Sequence, residues 1–225
     1  MDAGHYLLVS GSRLASGSVL VNVKTLSISA GKTTDEALVM RRDTTAVAVL
    51  GSFNSENLYG YLGEAESLTK TSDVTAAQPQ ERSLLSTTGR GYYILGILGA
   101  GEEPTNHALK DIIAEREVFE HWGRSLVLLF KDETSRSRYR SEDFQGLPKG
   151  TVFGIDATGK ILDELRTSMK LRSGDLPVFV IADTFNRVVF VSQGYTIGLG
   201  RQLRSVITAL EQEQCTEPTR TCAQP

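Results

Sequence analysis

The chain has 225 residues, of which 40% are hydrophobic and 23% charged, and its formal net charge is −3. This composition is typical of a globular protein that buries a core, and its slight acidity argues against a surface built for nucleic acid. No apolar run reaches the roughly 18 residues of a membrane-spanning helix, and the first residues lack the basic-then-apolar pattern of a signal peptide.

Residues 1–63 are dominated by strand patterns. Val19, Val21 and Val23 stand at alternate positions, which is the period of a β-strand, and residues 46–50 form an apolar run typical of a strand covered on both faces. We therefore predict a small, all-β, sandwich-like unit over residues 1–63. The alternative is that these strands form one edge of a single larger domain.

The composition changes at residues 64–90, where Thr, Ser, Ala and Gln are frequent. Such segments bury little apolar surface and commonly connect domains. The sequence predicts a polar linker over residues 64–90.

From residue 91 to residue 213, apolar strands alternate with amphipathic helices in the order β-α-β-α-β-α-β-β-α. Pro104 suits the first turn of a helix, and Glu102 and Glu103 suit its positive end. Alternating strands and helices predict a mixed central sheet with helices on both faces and an antiparallel hairpin at its edge.

Both cysteines, Cys215 and Cys222, lie near the end of the chain, within or next to a polar tail predicted at residues 214–225. Six residues separate them, so they could close a small disulfide loop in an oxidising compartment. An inert tail and a residual thiol–disulfide role are the other two interpretations.

The segment of residues 175–183, followed by a strand at residues 187–193 and by Gly194, resembles the end of a thioredoxin-like fold. In that fold a cis-proline precedes a strand, and a hairpin, a glycine and the last helix follow. The resemblance implies that Pro177 is this cis-proline.

Three further stretches, at residues 91–98, 103–109 and 181–187, resemble the C-terminal part of transglutaminase-like proteins of the Bacteroides group. The resemblance implies that the chain is a fragment of a longer protein with an upstream transglutaminase-like region. It also implies a location in the cell envelope, the periplasm or outside the cell.

The chemistry of these families is missing from the sequence. Thioredoxins use a Cys-x-x-Cys motif at the start of the first long helix, where the helix N-terminus lowers the pKa of the thiol. The corresponding residues 101–107 contain no cysteine, and Thr105 is an alcohol, which does not undergo disulfide exchange. A transglutaminase-type reaction needs a cysteine beside a histidine, and residues 1–214 contain no cysteine. We expect a redox-inactive interaction module.

By resemblance, the helix start and the cis-proline form the surface on which thioredoxin-like domains meet partners. The sequence therefore predicts a binding surface for a protein or a glycan, which we call the helix-start surface; its residues are Glu102, Glu103, Thr105, His107 and Pro177. We expect no catalytic residue, no metal and no cofactor.

The alternative is an enzyme of another class. Glu102, Glu103 and His107 could transfer protons or ligate a metal, whereas the plainer interpretation is that the two acids stabilise the helix dipole. A concave pocket around His107 would favour the enzyme, and an exposed His107 on a convex surface would argue against it.

Overall fold

The computed structural model describes residues 4–13, 19–29, 31, 41–43, 47–54, 57–70, 77–89, 91–100 and 103–215. The chain divides into two compact units, one of residues 1–48 and 209–225 and the other of residues 49–208.

The first unit contains three antiparallel strands, in the order β1 (Gly4–Arg13), β2 (Val19–Ile28) and β3 (Arg41–Asp43). The register between β1 and β2 runs without a break over ten residue pairs. The separate all-β unit predicted over residues 1–63 stays a prediction. The second layer of a sandwich stays a prediction.

The second unit is built on an eight-stranded mixed sheet. Its strands are β4 (Gly51–Ser52), β5 (Leu58–Glu64), β6 (Gln80–Ser83), β7 (Tyr93–Leu98), β8 (Leu126–Phe130), β9 (Val152–Ile155), β10 (Val178–Ala182) and β11 (Arg187–Gln193). Their order in the sheet is β4-β11-β10-β7-β8-β9-β5-β6. The central strands β7, β8 and β9 are parallel, and the other pairings are antiparallel.

The helices are α1 (Ala65–Leu68), α2 (Leu84–Thr88), α3 (Thr105–Ala114), α4 (Arg116–Trp122), α5 (Glu133–Arg136), α6 (Lys160–Met169) and α7 (Leu199–Cys215). Successive residues of a strand face opposite sides of the sheet. Leu95 of β7 belongs to the same buried cluster as Ile161 and Leu165 of α6. Helix α6 therefore covers that face, and Ile112 of α3 is buried but does not belong to this cluster.

The order of these elements defines a thioredoxin-like fold. Strand β7 leads into α3, β8 lies parallel to β7, and the β10–β11 hairpin precedes α7. The peptide bond between Leu176 and Pro177, directly before β10, is cis. The fold class expected from the sequence is confirmed.

Segments on both sides of the predicted boundary at residue 63 join this sheet. Strand β4 pairs with β11, and β5 pairs with β9 and with β6, so β4 and β5 belong to the larger sheet rather than to a separate unit, with β4 and β6 as its two edge strands. The predicted linker contains α1, β6 and α2. Its described part is also anchored, since the buried Arg136 donates a hydrogen bond to the carbonyl oxygen of Ala77 at 2.8 Å.

The physical reason lies in the composition of β6, whose residues Gln, Glu, Arg and Ser are mostly exposed. Edge strands commonly carry charged residues, because these discourage pairing with other chains. A polar edge strand therefore has the composition of a linker.

No helix in the described ranges combines the length and the apolar character needed to cross a membrane.

Candidate functional site at the start of helix α3

Three segments meet at the end of the sheet where α3 begins. A Cβ atom on Gly99, just after β7, would lie 3.1 Å from the Cβ atom of Leu176, so the absence of a side chain lets the two segments approach closely. The amide of Gly194, just after β11, donates a hydrogen bond to the carbonyl oxygen of Pro177 at 2.8 Å. The cis-proline thus lies between the helix start and the loop that leads to α7.

Thr105 occupies the interior of this region rather than its surface. It is 2% exposed and forms a hydrogen bond with the hydroxyl of Tyr139. That hydroxyl also donates to the carbonyl oxygens of Gly99 and Ala100, at 3.3 and 3.2 Å. Burial raises the pKa of Tyr139 well above its ordinary value, so the hydroxyl stays protonated and remains a donor. Thr105 was predicted as a contact residue on the helix-start surface. This is wrong, because its side chain is buried and its hydroxyl is hydrogen-bonded to Tyr139 inside the fold.

The other predicted site residues lie in different environments. Pro177 is buried, and Glu103 is exposed with no ion-pair partner in the described part of the chain. Glu102 lies outside the described residues. Of the predicted helix-start surface, Glu103 and the half-buried His107 are therefore accessible.

The neighbours of His107 differ from those that the sequence suggested. Its ring stacks on Tyr195, with centroids 5.0 Å apart and planes at 27°. Its Nε2 atom lies 3.8 Å from Oδ1 of Asp111, one turn further along α3. The enzyme alternative that joins His107 to Glu102 and Glu103 stays a prediction, since Glu102 is not described.

Sequence reasoning missed two exposed apolar side chains beside this histidine. Tyr195 is 59% exposed and Ile197 is 73% exposed. They lie in the loop between β11 and α7, flanked by Gly194 and Gly198, which have φ angles of 68° and 71°. Two large apolar residues between two glycines were the available signal.

Clefts elsewhere on the second unit do not involve this site. One of about 630 Å³ lies between the residues after β4 and helix α6, and another of about 520 Å³ lies near the start of α6. Neither is lined by Glu103 or His107. No group of three or more His, Cys, Asp or Glu side chains in the described ranges is arranged to hold a metal ion.

Cys215 is the last residue of α7, but its side chain and the whole of Cys222 lie outside the described residues. The predicted disulfide between them stays a prediction.

Together these features define a class: a thioredoxin-like domain in which a buried threonine and an exposed glutamate occupy the helix start, and in which residues 1–214 contain no cysteine. Comparison of the sequence with protein-family profiles and with curated proteins finds no match.

Several solved structures are similar in shape. A mitochondrial 2-Cys peroxiredoxin from Plasmodium falciparum has a TM-score of 0.47 and 14% identity, covering 78% of this chain and 100% of its own. The thioredoxin domain of a thiol-disulfide oxidoreductase from Bacteroides vulgatus has a TM-score of 0.45 and 10% identity, covering 69% and 97%. A thiol:disulfide interchange protein from Bacteroides sp. has a TM-score of 0.43 and 14% identity, covering 77% and 95%. All three TM-scores are below 0.5, so the fold assignment rests on the order of the strands and helices.

Proposed function

We propose that this chain is a non-catalytic, redox-inactive thioredoxin-like module that binds a protein or a glycan at the helix-start end of its sheet. We further propose that it is an accessory part of a larger cell-envelope transglutaminase-like protein. The observation that carries the proposal is the buried Thr105, hydrogen-bonded to Tyr139, at the start of the helix where a thioredoxin has its thiols.

Redox inactivity is supported by the chemistry of that position. Disulfide exchange requires attack by a thiolate on a sulfur atom. An alcohol hydroxyl does not perform this step, and the hydroxyl of Thr105 is in any case enclosed. The two cysteines lie at the end of α7 and in the tail.

Binding is supported by the accessible side chains of the same end, which we call the partner surface: Glu103, His107, Tyr195 and Ile197. Tyrosine is enriched at the centres of interfaces, because its ring buries a large apolar area at a low entropic cost. Ile197 adds apolar area, and Glu103 supplies an exposed charge. Tyr195 and Ile197 would lose most of their contact with water in a complex.

The first experiment is an insulin-reduction assay with free-thiol counting on the purified chain. We expect no turnover above that of buffer, and the same result for the Cys215→Ser, Cys222→Ser double variant. Turnover by the natural chain that disappears in the double variant would overturn the claim of redox inactivity.

The second experiment measures partner binding by calorimetry, with the purified upstream region of the same gene product as the probe. Tyr195→Ala and Ile197→Ala should each weaken binding. The matched control is Phe185→Ala, since Phe185 is 76% exposed but lies in the β10–β11 turn, at the opposite end of the sheet. No measurable binding, or equal effects of all three variants, would contradict a partner surface at the helix start.

A further inference from the structure

The loop between β11 and α7 exposes two residues and turns the residue between them inward. Thr196 is half-buried, whereas its neighbours Tyr195 and Ile197 are exposed. The Oγ1 atom of Thr196 lies 2.6 Å from the Oγ atom of Ser192, a buried residue of β11, which is the distance of a hydrogen bond between two hydroxyl groups. The loop is therefore tied back onto the strand that precedes it.

Further hydrogen bonds fix both ends of this loop. At its start, the amide of Gly194 donates to the carbonyl oxygen of Pro177 at 2.8 Å. At its end, the side-chain amide of Gln202, in the first turn of α7, donates to the carbonyl oxygen of Ile197 at 3.3 Å. A short loop that is held at its start, middle and end loses little further conformational entropy when it binds a partner.

We infer that residues 194–198 form a rigid recognition loop for a protein partner. The hydrogen bond between Ser192 and Thr196 holds the loop in its bound shape. Tyr195 and Ile197 enter an apolar pocket of the partner. Because the loop belongs to the partner surface, this role rests on the proposed function. Ser192 and Thr196 are positioning residues, since they act through the two exposed side chains.

The chemistry of these exposed side chains favours a protein over a glycan. Ile197 is 73% exposed and carries no polar side-chain atom. A sugar presents hydroxyl groups over most of its surface. A hydroxyl placed against Ile197 would lose its hydrogen bonds to water without gaining new ones, which is costly. An apolar pocket instead removes Tyr195 and Ile197 from water, with a gain that is roughly proportional to the apolar area buried.

The first measurement uses the free chain. The double variant Ser192→Ala, Thr196→Val removes both hydroxyl groups, and since neither is left without its partner, the free energy of unfolding should change little. NMR relaxation of the amides of Tyr195 and Ile197 should give order parameters of about 0.85 in the natural chain and about 0.6 or lower in the variant. Equal order parameters in the two proteins, or a flexible loop in the natural chain, would overturn the positioning role.

Calorimetry then measures the affinity for the purified upstream region of the same gene product. The double variant should bind about three- to tenfold more weakly, because its loop must be ordered on binding. Thr167→Val is the matched control, since Thr167 lies on α6 and its hydroxyl donates a hydrogen bond to the carbonyl oxygen of Asp163. The control should leave the affinity unchanged. Equal affinities of the natural chain and the double variant would contradict a loop that is preorganised for binding.

The heat-capacity change of binding distinguishes the class of partner. Burial of apolar side chains should make this change negative, and Ile197→Ala should reduce its magnitude. A heat-capacity change near zero would mean that polar groups, such as those of a glycan attached to the probe, cover the loop, and it would overturn the apolar pocket. Absence of binding by the natural chain contradicts the proposed function and the pocket alike, whereas the order parameters of the free chain still decide the role of the hydrogen bond.

Discussion

The hydroxyl of Tyr139 donates a hydrogen bond to the carbonyl oxygen of Gly99, 40 residues earlier in the chain, at 3.3 Å. Gly99 directly follows β7 in the segment that leads to the helix start, and Tyr139 follows the short helix α5. The tyrosine ring also packs against Phe130 and Phe144. One side chain therefore connects the aromatic core to the loop on which the candidate site is built.

Replacing Tyr139 by phenylalanine should destabilise the protein by about 1–3 kcal/mol, because it leaves buried carbonyl oxygens and the hydroxyl of Thr105 without their partner. Urea unfolding measures the loss. Tyr195→Phe is the control, since Tyr195 is exposed, and it should change stability by less than about 0.5 kcal/mol. Equal stabilities of the two variants would show that the Tyr139 hydroxyl does not support the loop.

The central strand β7 should tolerate no side chain at Gly96. A Cβ atom there would lie 2.5 Å from Cε1 of Phe179 and 2.8 Å from Cδ2 of Leu128. Gly96→Ala should therefore cost about 1–3 kcal/mol through overpacking, measured by chemical denaturation. If the double variant Gly96→Ala, Phe179→Leu regains stability, the clash with the ring of Phe179 is the cause of the loss. A Gly96→Ala variant as stable as the natural chain would contradict the close packing of Phe179 and Leu128 around Gly96.

The buried Arg136 should keep residues 77–79, just before β6, packed against the rest of the second unit. It is 2% exposed, and its guanidinium donates a hydrogen bond to Ala77 and pairs with Glu133. Hydrogen bonds to charged groups contribute about 1.5–3 kcal/mol, so Arg136→Ala should release this segment.

Limited trypsin digestion checks this prediction. Cleavage at Arg82 should become faster in Arg136→Ala, while Arg138→Ala, a change at an exposed position, should leave the cleavage rate unchanged. Rapid cleavage at Arg82 in the unaltered chain would mean that the segment behaves as the linker that its composition suggests.

Ionisation of the buried Asp156 should lower the free energy of unfolding as pH rises. Burial raises its pKa above the ordinary value of 3.8, although the amides of Leu162 and Ile161 donate hydrogen bonds to it and oppose the shift. The folded state therefore holds this proton more tightly than the unfolded state, and its stabilising effect is lost as pH rises from 3.8 through the folded pKa. Asp156→Asn, which retains an acceptor oxygen, should lack this dependence.

The measurement is urea unfolding of both proteins from about pH 2 to neutrality, with Asp132→Asn as a comparison of opposite sign. The amide of Ser135 donates a hydrogen bond to Asp132 and lowers the pKa of this carboxyl group. The ionised carboxylate therefore stabilises the folded state above pH 3.8, and this contribution to the free energy of unfolding is lost as pH falls through the folded pKa. A difference between the natural chain and Asp156→Asn that does not vary with pH would contradict the burial of this carboxylate.

Much of the fold could be predicted from local patterns. The apolar runs of β7, β8 and β10 alternate with helical stripes, and this alternation alone indicates a mixed sheet covered by helices. Strand β6 could not be found in this way, because a polar edge strand is stabilised by its pairing with β5 rather than by its own apolar residues. Its partner lies about 20 residues earlier in the chain.

For the candidate site too, some features could be predicted from the sequence and others needed the tertiary structure. The absence of a cysteine from residues 1–214 is a property of the sequence, and it removes disulfide exchange from the helix start whatever the fold. The burial of Thr105, the stacking of Tyr195 on His107 and the approach of His107 to Asp111 needed the tertiary structure. Burial and ring contacts depend on segments that are distant in the chain, and only packing decides which side of a loop faces the core and which faces water.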